Sequence, residues 1–199
     1  MDHALGVQVF GQPELVAHLA QGRQHYSHCI SIGNPGKDVS QPDRVIPVII
    51  RKSFKNILRL AFYDVEEKRQ LGNIRPKRIP KRADVRKVIR FFRHTENEAT
   101  GYTIHCWQGI SRSPAVALGI LYLITLSERE AGKVLLEIRP QALPHQKLVK
   151  LFDEELGCNL SAVSNAVRNE RIKRRKKGLD LTENSIEELP IENDELKPD

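Results

Sequence analysis

The chain predicts an α/β fold in which a central, mixed or mostly parallel sheet is flanked by helices. Three observations predict it. Short strand-like segments recur from the N-terminus to mid-chain, at residues 7–10, 25–32, 57–63 and 102–105. Helical patterns stand between and after them, the arrangement of a sheet covered by helices. The last strand also leads through a short loop into an apolar run at 114–126 that reads as a helix. With 199 residues and 40% hydrophobic content, the chain can hold one sizeable core.

Residues 7–10 (Val-Gln-Val-Phe) read as the first strand, and a short helix follows over about 13–19. Residues 25–32 alternate like a strand and stop at Gly33-Asn34-Pro35-Gly36, a strong turn signal. Residues 45–50 read as a strand or a buried extended loop, Pro47 weakening the strand assignment. After the strand at 57–63, a helix carries Val85, Val88, Ile89 and Phe92 at i, i+3, i+4 and i+7, one apolar face. Two helices follow the strand at 102–105 and its apolar helix. One opens with a Ser127-x-x-Glu130 capping box and presents Ala131, Val134, Leu135 and Ile138 for burial. The other spans about 144–156, with Leu148, Leu151 and Phe152 on one face and Gly157 as a stop.

The character changes after residue 160. The stretch 168–178 holds seven basic residues against Glu170 alone, and 180–199 holds eight acids against Lys197 alone. Such blocks predict a charged, flexible tail over 161–199 attached to a folded domain over 1–160. The basic block is a candidate contact for nucleic acid or an anionic surface, set against a solvated tail that partly neutralises itself. Mean hydropathy of -0.43, no apolar run of membrane-span length and no basic-then-apolar leader predict a cytoplasmic protein without a transmembrane segment. Three cysteines, Cys29, Cys106 and Cys158, give no obvious disulfide framework. His25, His28 and Cys29 lie close in sequence, but residues 25 and 28 of a strand point to opposite faces, so no metal site is expected. No cofactor is expected either.

The most informative stretch is His105-Cys106-Trp107-Gln108-Gly109-Ile110-Ser111-Arg112-Ser113. A strand ending in a short loop at a helix N-terminus turns backbone N–H groups and a positive dipole end towards one point, a site for a phosphate. Cys106 is the candidate nucleophile, its thiolate favoured by the helix terminus and by the fixed cation of Arg112. Five intervening residues let the amides of Trp107, Gln108, Gly109, Ile110, Ser111 and Arg112 converge as an anion nest, with Gly109 supplying backbone freedom. Arg112 is suited to chelate two phosphoryl oxygens with its planar fork. Ser113 is placed to donate to the Cys106 sulfur and ease its departure. A chance coincidence of these residue types around a given cysteine is roughly one in 10^5 at usual residue frequencies, which outweighs the alternative of an inert buried cysteine at a strand end.

This stretch resembles the H-C-x-x-G-x-x-R-S/T motif of cysteine-dependent protein phosphatases, and its flanks resemble the dual-specificity branch. Leu58-Arg59-Leu60-Ala61-Phe62-Tyr63-Asp64 is similar to that family's strand ending in a general-acid aspartate, and Arg139-Pro140-x-x-Leu143-Pro144 to the segment before its last core helix. The loop is most similar to that of the small bacterial predicted tyrosine phosphatases, H-C-x-x-G-I-S-R-S. The resemblance covers roughly residues 5 to 157. His145 stands where many relatives carry an asparagine, and the Lys-Asn-Arg-Tyr stretch of the larger tyrosine-specific enzymes is missing. It implies a dual-specificity-phosphatase-like catalytic domain over 1–160. The implied activity is a cofactor-free phosphomonoesterase that works on phosphoprotein through a phosphocysteine, phosphotyrosine being favoured over phosphoserine or phosphothreonine. The lack of lysine in the loop speaks against inositol phospholipids.

Phosphoester cleavage needs a proton delivered to the departing oxygen, usually from a carboxyl on a separate loop. Asp64 ends a strand and leads into a long segment, as such an acid should; Glu66 and Glu67 are its competitors, and Asp84 is disfavoured because it begins a helix. The stretch 68–82 holds seven cations and no acid, and reads equally as a solvated loop or as a collar attracting anionic substrates. His105 is expected to orient the loop by hydrogen bonding. Trp107 is expected either in the pocket wall or packed behind it, and Cys29 either in the core or as an oxidation partner of Cys106. Three rival readings are a rhodanese-like sulfurtransferase, a phosphopeptide-binding module without turnover, and a nucleic-acid binder working through 168–178. Ser113 and the acid-bearing strand at Asp64 speak against the first.

Overall fold

The computed structural model describes residues 5–36, 44–65 and 78–176. Four strands, β1 (Gly6–Gly11), β2 (His28–Gly33), β3 (Asn56–Ala61) and β4 (Gly101–Cys106), form one sheet in the order β1-β4-β2-β3. Every pairing is parallel, with Gly11 opposite Cys106, Ser31 opposite His105 and Ile32 opposite Leu60. The helices are α1 (Gln12–Ala20), α2 (Val48–Ser53), α3 (Arg82–Thr95), α4 (Arg112–Thr125), α5 (Glu128–Ile138), α6 (Gln146–Leu156) and α7 (Leu160–Lys176).

Strand alternation divides the core in two. Val7, Val9, Ile30, Ile32, Leu60, Tyr102 and Ile104 face the larger cluster, which α3, α4, α5, α6 and α7 complete with Val88, Phe92, Leu118, Leu135, Phe152 and Val163. Cys29 faces the smaller cluster, with Leu15 of α1 and Ile50 of α2. A parallel sheet survives only when both faces are covered, and this one is. At the centre lies α4, whose residues 112–121 are all buried, as its unbroken apolar run requires.

Local signals account for most element ends. Ser127 Oγ accepts from the Glu130 N–H at 3.3 Å to open α5, and Gly157 at φ 66° ends α6. Lys81 N–H donates to Asp84 Oδ2 at 3.0 Å to start α3, and Arg78 Nη2 lies 2.5 Å from Asp84 Oδ1. Asp84 is thus a buried cap.

Three expectations are corrected. Residues 45–50 do not form a strand or extended loop throughout, because 48–53 wind into α2 behind Pro47, with Ser53 Oγ bonding back to the Ile49 carbonyl at 2.8 Å. Residues 25–27 stay outside β2, where Ser27 and Thr100 exchange N–H···Oγ bonds of 3.0 Å in place of ladder bonds. The expected flexible tail does not begin at 161. Residues 160–176 are helical, and Leu160, Val163 and Val167 are buried at i, i+3 and i+7. Asp153 seals the start of α7 by accepting from the N–H groups of Leu160 and Ser161. Residues 177–199, with the acidic block, lie outside the described residues.

Candidate active site

In a parallel α/β sheet the carboxyl ends of all strands open on one edge, and sites gather there. Asn34 follows β2, Phe62 and Asp64 follow β3, and the loop from Cys106 to Arg112 follows β4. These are the residues that meet.

The carbonyls along the loop are all turned outwards. Gln12 N–H donates to Trp107 O (2.9 Å), Arg139 Nη2 to Gln108 O (3.3 Å) and Arg139 Nε to Gly109 O (3.0 Å). Leu143 N–H donates to Ile110 O (2.8 Å), and the N–H groups of Ala115 and His145 to Ser111 O (3.2 Å each). A trans peptide points its N–H opposite to its C=O. The amides of Gln108, Gly109, Ile110, Ser111 and Arg112 are therefore turned to the inner side, and the Gly109 N–H donates to Cys106 Sγ at 3.2 Å. Gly109 adopts φ +73°, and a Cβ there would come within 2.5 Å of both Gly11 N and Arg139 Nη2. Only glycine fits.

Cys106 is 1% exposed, and Ser113 Oγ–H donates to its sulfur at 3.1 Å. The sulfur thus accepts from two donors. α4 begins at Arg112, so Pro114 occupies its first turn, where no N–H is missed. Arg112 is 4% exposed. Its Nη1 donates to Asn34 Oδ1 and Phe62 O, both at 3.1 Å, and its Nε lies 3.5 Å from Asp64 Oδ2. Asp64 is held over the loop, accepting from Ser111 Oγ at 2.7 Å, with His145 Nε2 3.8 Å from the same oxygen. Trp107 is half-buried and Gln108 exposed. Glu66, Glu67 and 68–77 of the basic stretch lie outside the described residues.

The buried ring of His105 points to the α1–α2 side of the sheet, and neither of its nitrogens meets a hydrogen-bond partner among the described residues. Burial, and then the Arg59 guanidinium, lower its pKa to about 4, while the Cys106 backbone beside it acts the other way. Cys29 also faces the smaller cluster, and burial pushes its thiol far up. Cys106 belongs to the opposite face, so the sheet separates the two sulfurs.

Two supports gave no signal as site residues in the sequence. Glu14 accepts from the Gly11 N–H at 3.0 Å and pairs with Arg139 Nη1 at 2.8 Å, so α1 braces the arginine that holds two loop carbonyls. Asn34 lies in a segment read only as a turn, yet it fixes Arg112.

Among solved structures, the chain is similar to DUSP15, with a TM-score of 0.52 and 16% identity over 85% of this chain and 94% of that one. It is also similar to Tk-PTP in its active form (TM-score 0.50, 18% identity, 78% of this chain and 90% of that one) and to PTPMT1 (TM-score 0.50, 16% identity, 86% and 96%). No protein-family model matches the chain, and no curated protein matches its sequence. The likeness is one of fold: the chain has the α/β fold of the tyrosine and dual-specificity phosphatases.

Proposed function

We propose that the protein is a metal-independent phosphomonoesterase that acts on phosphoprotein, with phosphotyrosine favoured. The observation that carries this reading is the loop whose carbonyls all point away from the Cys106 sulfur while a buried arginine and a carboxylate meet above it. In the first step the Cys106 thiolate forms an S–P bond in line with the breaking P–O ester bond, and Asp64 gives its proton to the departing oxygen. The inward amides and Arg112 take up the charge of the equatorial oxygens in the transition state. In the second step Asp64, now a carboxylate, takes a proton from water as the water oxygen bonds to phosphorus. The S–P bond breaks, and the Ser113 hydroxyl stabilises the departing thiolate. Trp107, Gln108, Gly109, Ile110 and Ser111 form the phosphate cradle. A cytoplasmic location agrees with the need of this chemistry for a reduced thiol.

Hydrolysis of a chromogenic aryl phosphate in the presence of a chelator tests this. Turnover is expected in the wild type, blocked by vanadate, abolished in Cys106→Ser and reduced about 10^2-fold or more in Asp64→Ala, the scale of a general acid. A wild type inert from pH 5 to 8 that still binds phosphotyrosine peptides would favour the binding-module reading instead.

A further inference from the structure

The body and the end of the chain carry opposite charge. The whole chain is +7, and residues 177–199 hold Lys177 and Lys197 against eight acids, a balance of -6, which leaves +13 on residues 1–176. Part of that positive charge lines a groove of about 350 Å3 between α3 and the C-terminal end of α6, walled by Arg86, Ile89, Arg90, Arg93, His94 and Glu155. Glu155 already serves Arg82 and Arg86, at 3.0 and 2.7 Å. Arg90 and Arg93 are exposed and have no carboxylate within ion-pair distance among the described residues. Between them Ile89, 8% exposed, closes the floor of the groove.

We propose that this groove docks the chain's own acidic segment at 187–195, Glu-Glu-Leu-Pro-Ile-Glu-Asn-Asp-Glu. Chemistry and reach both point there. The carboxylates flanking Leu189 and Ile191 suit Arg90 and Arg93, and the aliphatic stems of those arginines give the two apolar side chains a surface to lie on. α7 runs antiparallel to α6: Asp153 holds its start, Gln146 meets Ser164 at 3.0 Å, and Arg171 Nη1 reaches the Gln141 carbonyl near its end. The groove lies at the α6 end where α7 begins, so a chain leaving Lys176 must retrace the helix, about 25 Å at 1.5 Å per residue. Residues 177–186 span up to about 33 Å when extended, enough for that return and part of the turn around α6. The acid-dense part arrives at the groove. A tether this short gives an effective concentration on the order of millimolar, so a weak contact is enough to hold it.

The test uses the full chain. Zero-length carbodiimide cross-linking read by mass spectrometry is expected to join the 187–195 carboxylates to Lys87, the exposed lysine on α3, within one chain. The yield should fall about tenfold in R90E/R93E and in 0.5 M salt, which screens exposed charge, with an unchanged circular dichroism spectrum in the variant. Restoration when Glu187, Glu188 and Glu192 are replaced by lysine in the R90E/R93E background, read as protection of that segment from trypsin, would fix the pairing. Cross-links scattered over the lysines of the body, or indifferent to R90E/R93E, would overturn the proposal. So would cross-links found only between isotopically light and heavy chains, which would assign the groove to a second copy. Neither outcome bears on phosphatase turnover.

Discussion

At the scale of single residues, the site is one continuous loop held by side chains from elsewhere in the chain. Cys106, Gly109, Arg112 and Ser113 stand out because each needs a specific residue type at a fixed offset in one continuous stretch. Glu14 and Asn34 converge on it from segments that carry no signal of a site, and Arg139 and His145 stand out only through the resemblance of their segment. His145 illustrates what was hidden. Its Nδ1 accepts from the Leu148 N–H at 3.4 Å, so the neutral ring carries its proton on Nε2, the nitrogen 3.8 Å from Asp64 Oδ1. The imidazole is 2% exposed and cannot swing. Its Nε2 faces the carboxylate that the proposed reaction uses as acid, and we propose that it helps to position it. His145→Ala should lower kcat about 10-fold, with little change in KM for a small aryl phosphate, because a misplaced acid costs rate rather than binding. The decisive measurement is the dependence on the leaving group. The loss should grow from nitrophenyl to phenyl phosphate, since only a poor leaving group needs the proton. A loss equal for both would make His145 a packing residue alone.

Among the secondary-structure elements, periodicity served well where an apolar face was wide and failed where charge or a branched run masked it. α3 and α5 showed their faces plainly. α2 did not, because Val48-Ile49-Ile50 behind a proline has the composition of an extended segment and only six residues in which to show a helical period. α7 was hidden by its cations: three buried residues, Leu160, Val163 and Val167, anchor a helix whose other faces are polar. The signal was present at i, i+3 and i+7, but it was outweighed by the charge run that follows. The docking of α7 has a test with opposite signs. Gly132 of α5 lies under it, and a Cβ there would come within 2.2 Å of Val163 Cγ1. On an undocked α5, Gly132→Ala would stabilise by about 1 kcal/mol through helix propensity. With α7 packed as described, overpacking costs about 1–3 kcal/mol and should lower Tm by several degrees. A rise in Tm would show that α7 does not rest on α5.

Across the whole molecule, the parallel sheet sends the strand ends that matter to one edge, and it also buries polar residues on the face covered by α1 and α2. His105 is the clearest case, fully enclosed and with a pKa lowered to about 4 by burial and by Arg59. His25, and on the opposite face His28 against Phe91 and Tyr102, are lowered as well, both chiefly by burial. A histidine whose folded pKa lies below its unfolded value of 6.5 makes the unfolded chain the better proton binder between the two. Stability from this source is complete above pH 6.5 and is lost as pH falls towards 4. For His105 alone the linkage amounts to about 2 kcal/mol between pH 7 and pH 5. The carboxylates Glu98 and Glu155, whose pKa values are lowered mainly by Lys55 and Arg86, act in the same direction but chiefly below this interval. Urea denaturation at pH 7, 6 and 5 should therefore show a steady fall in the midpoint in the wild type. His105→Gln, which keeps a polar side chain of similar size but cannot titrate, should flatten most of that fall. Persistence of the full wild-type slope in His105→Gln would mean that the ring takes up its proton without cost, and that the face under α1 and α2 is wetter than its packing implies.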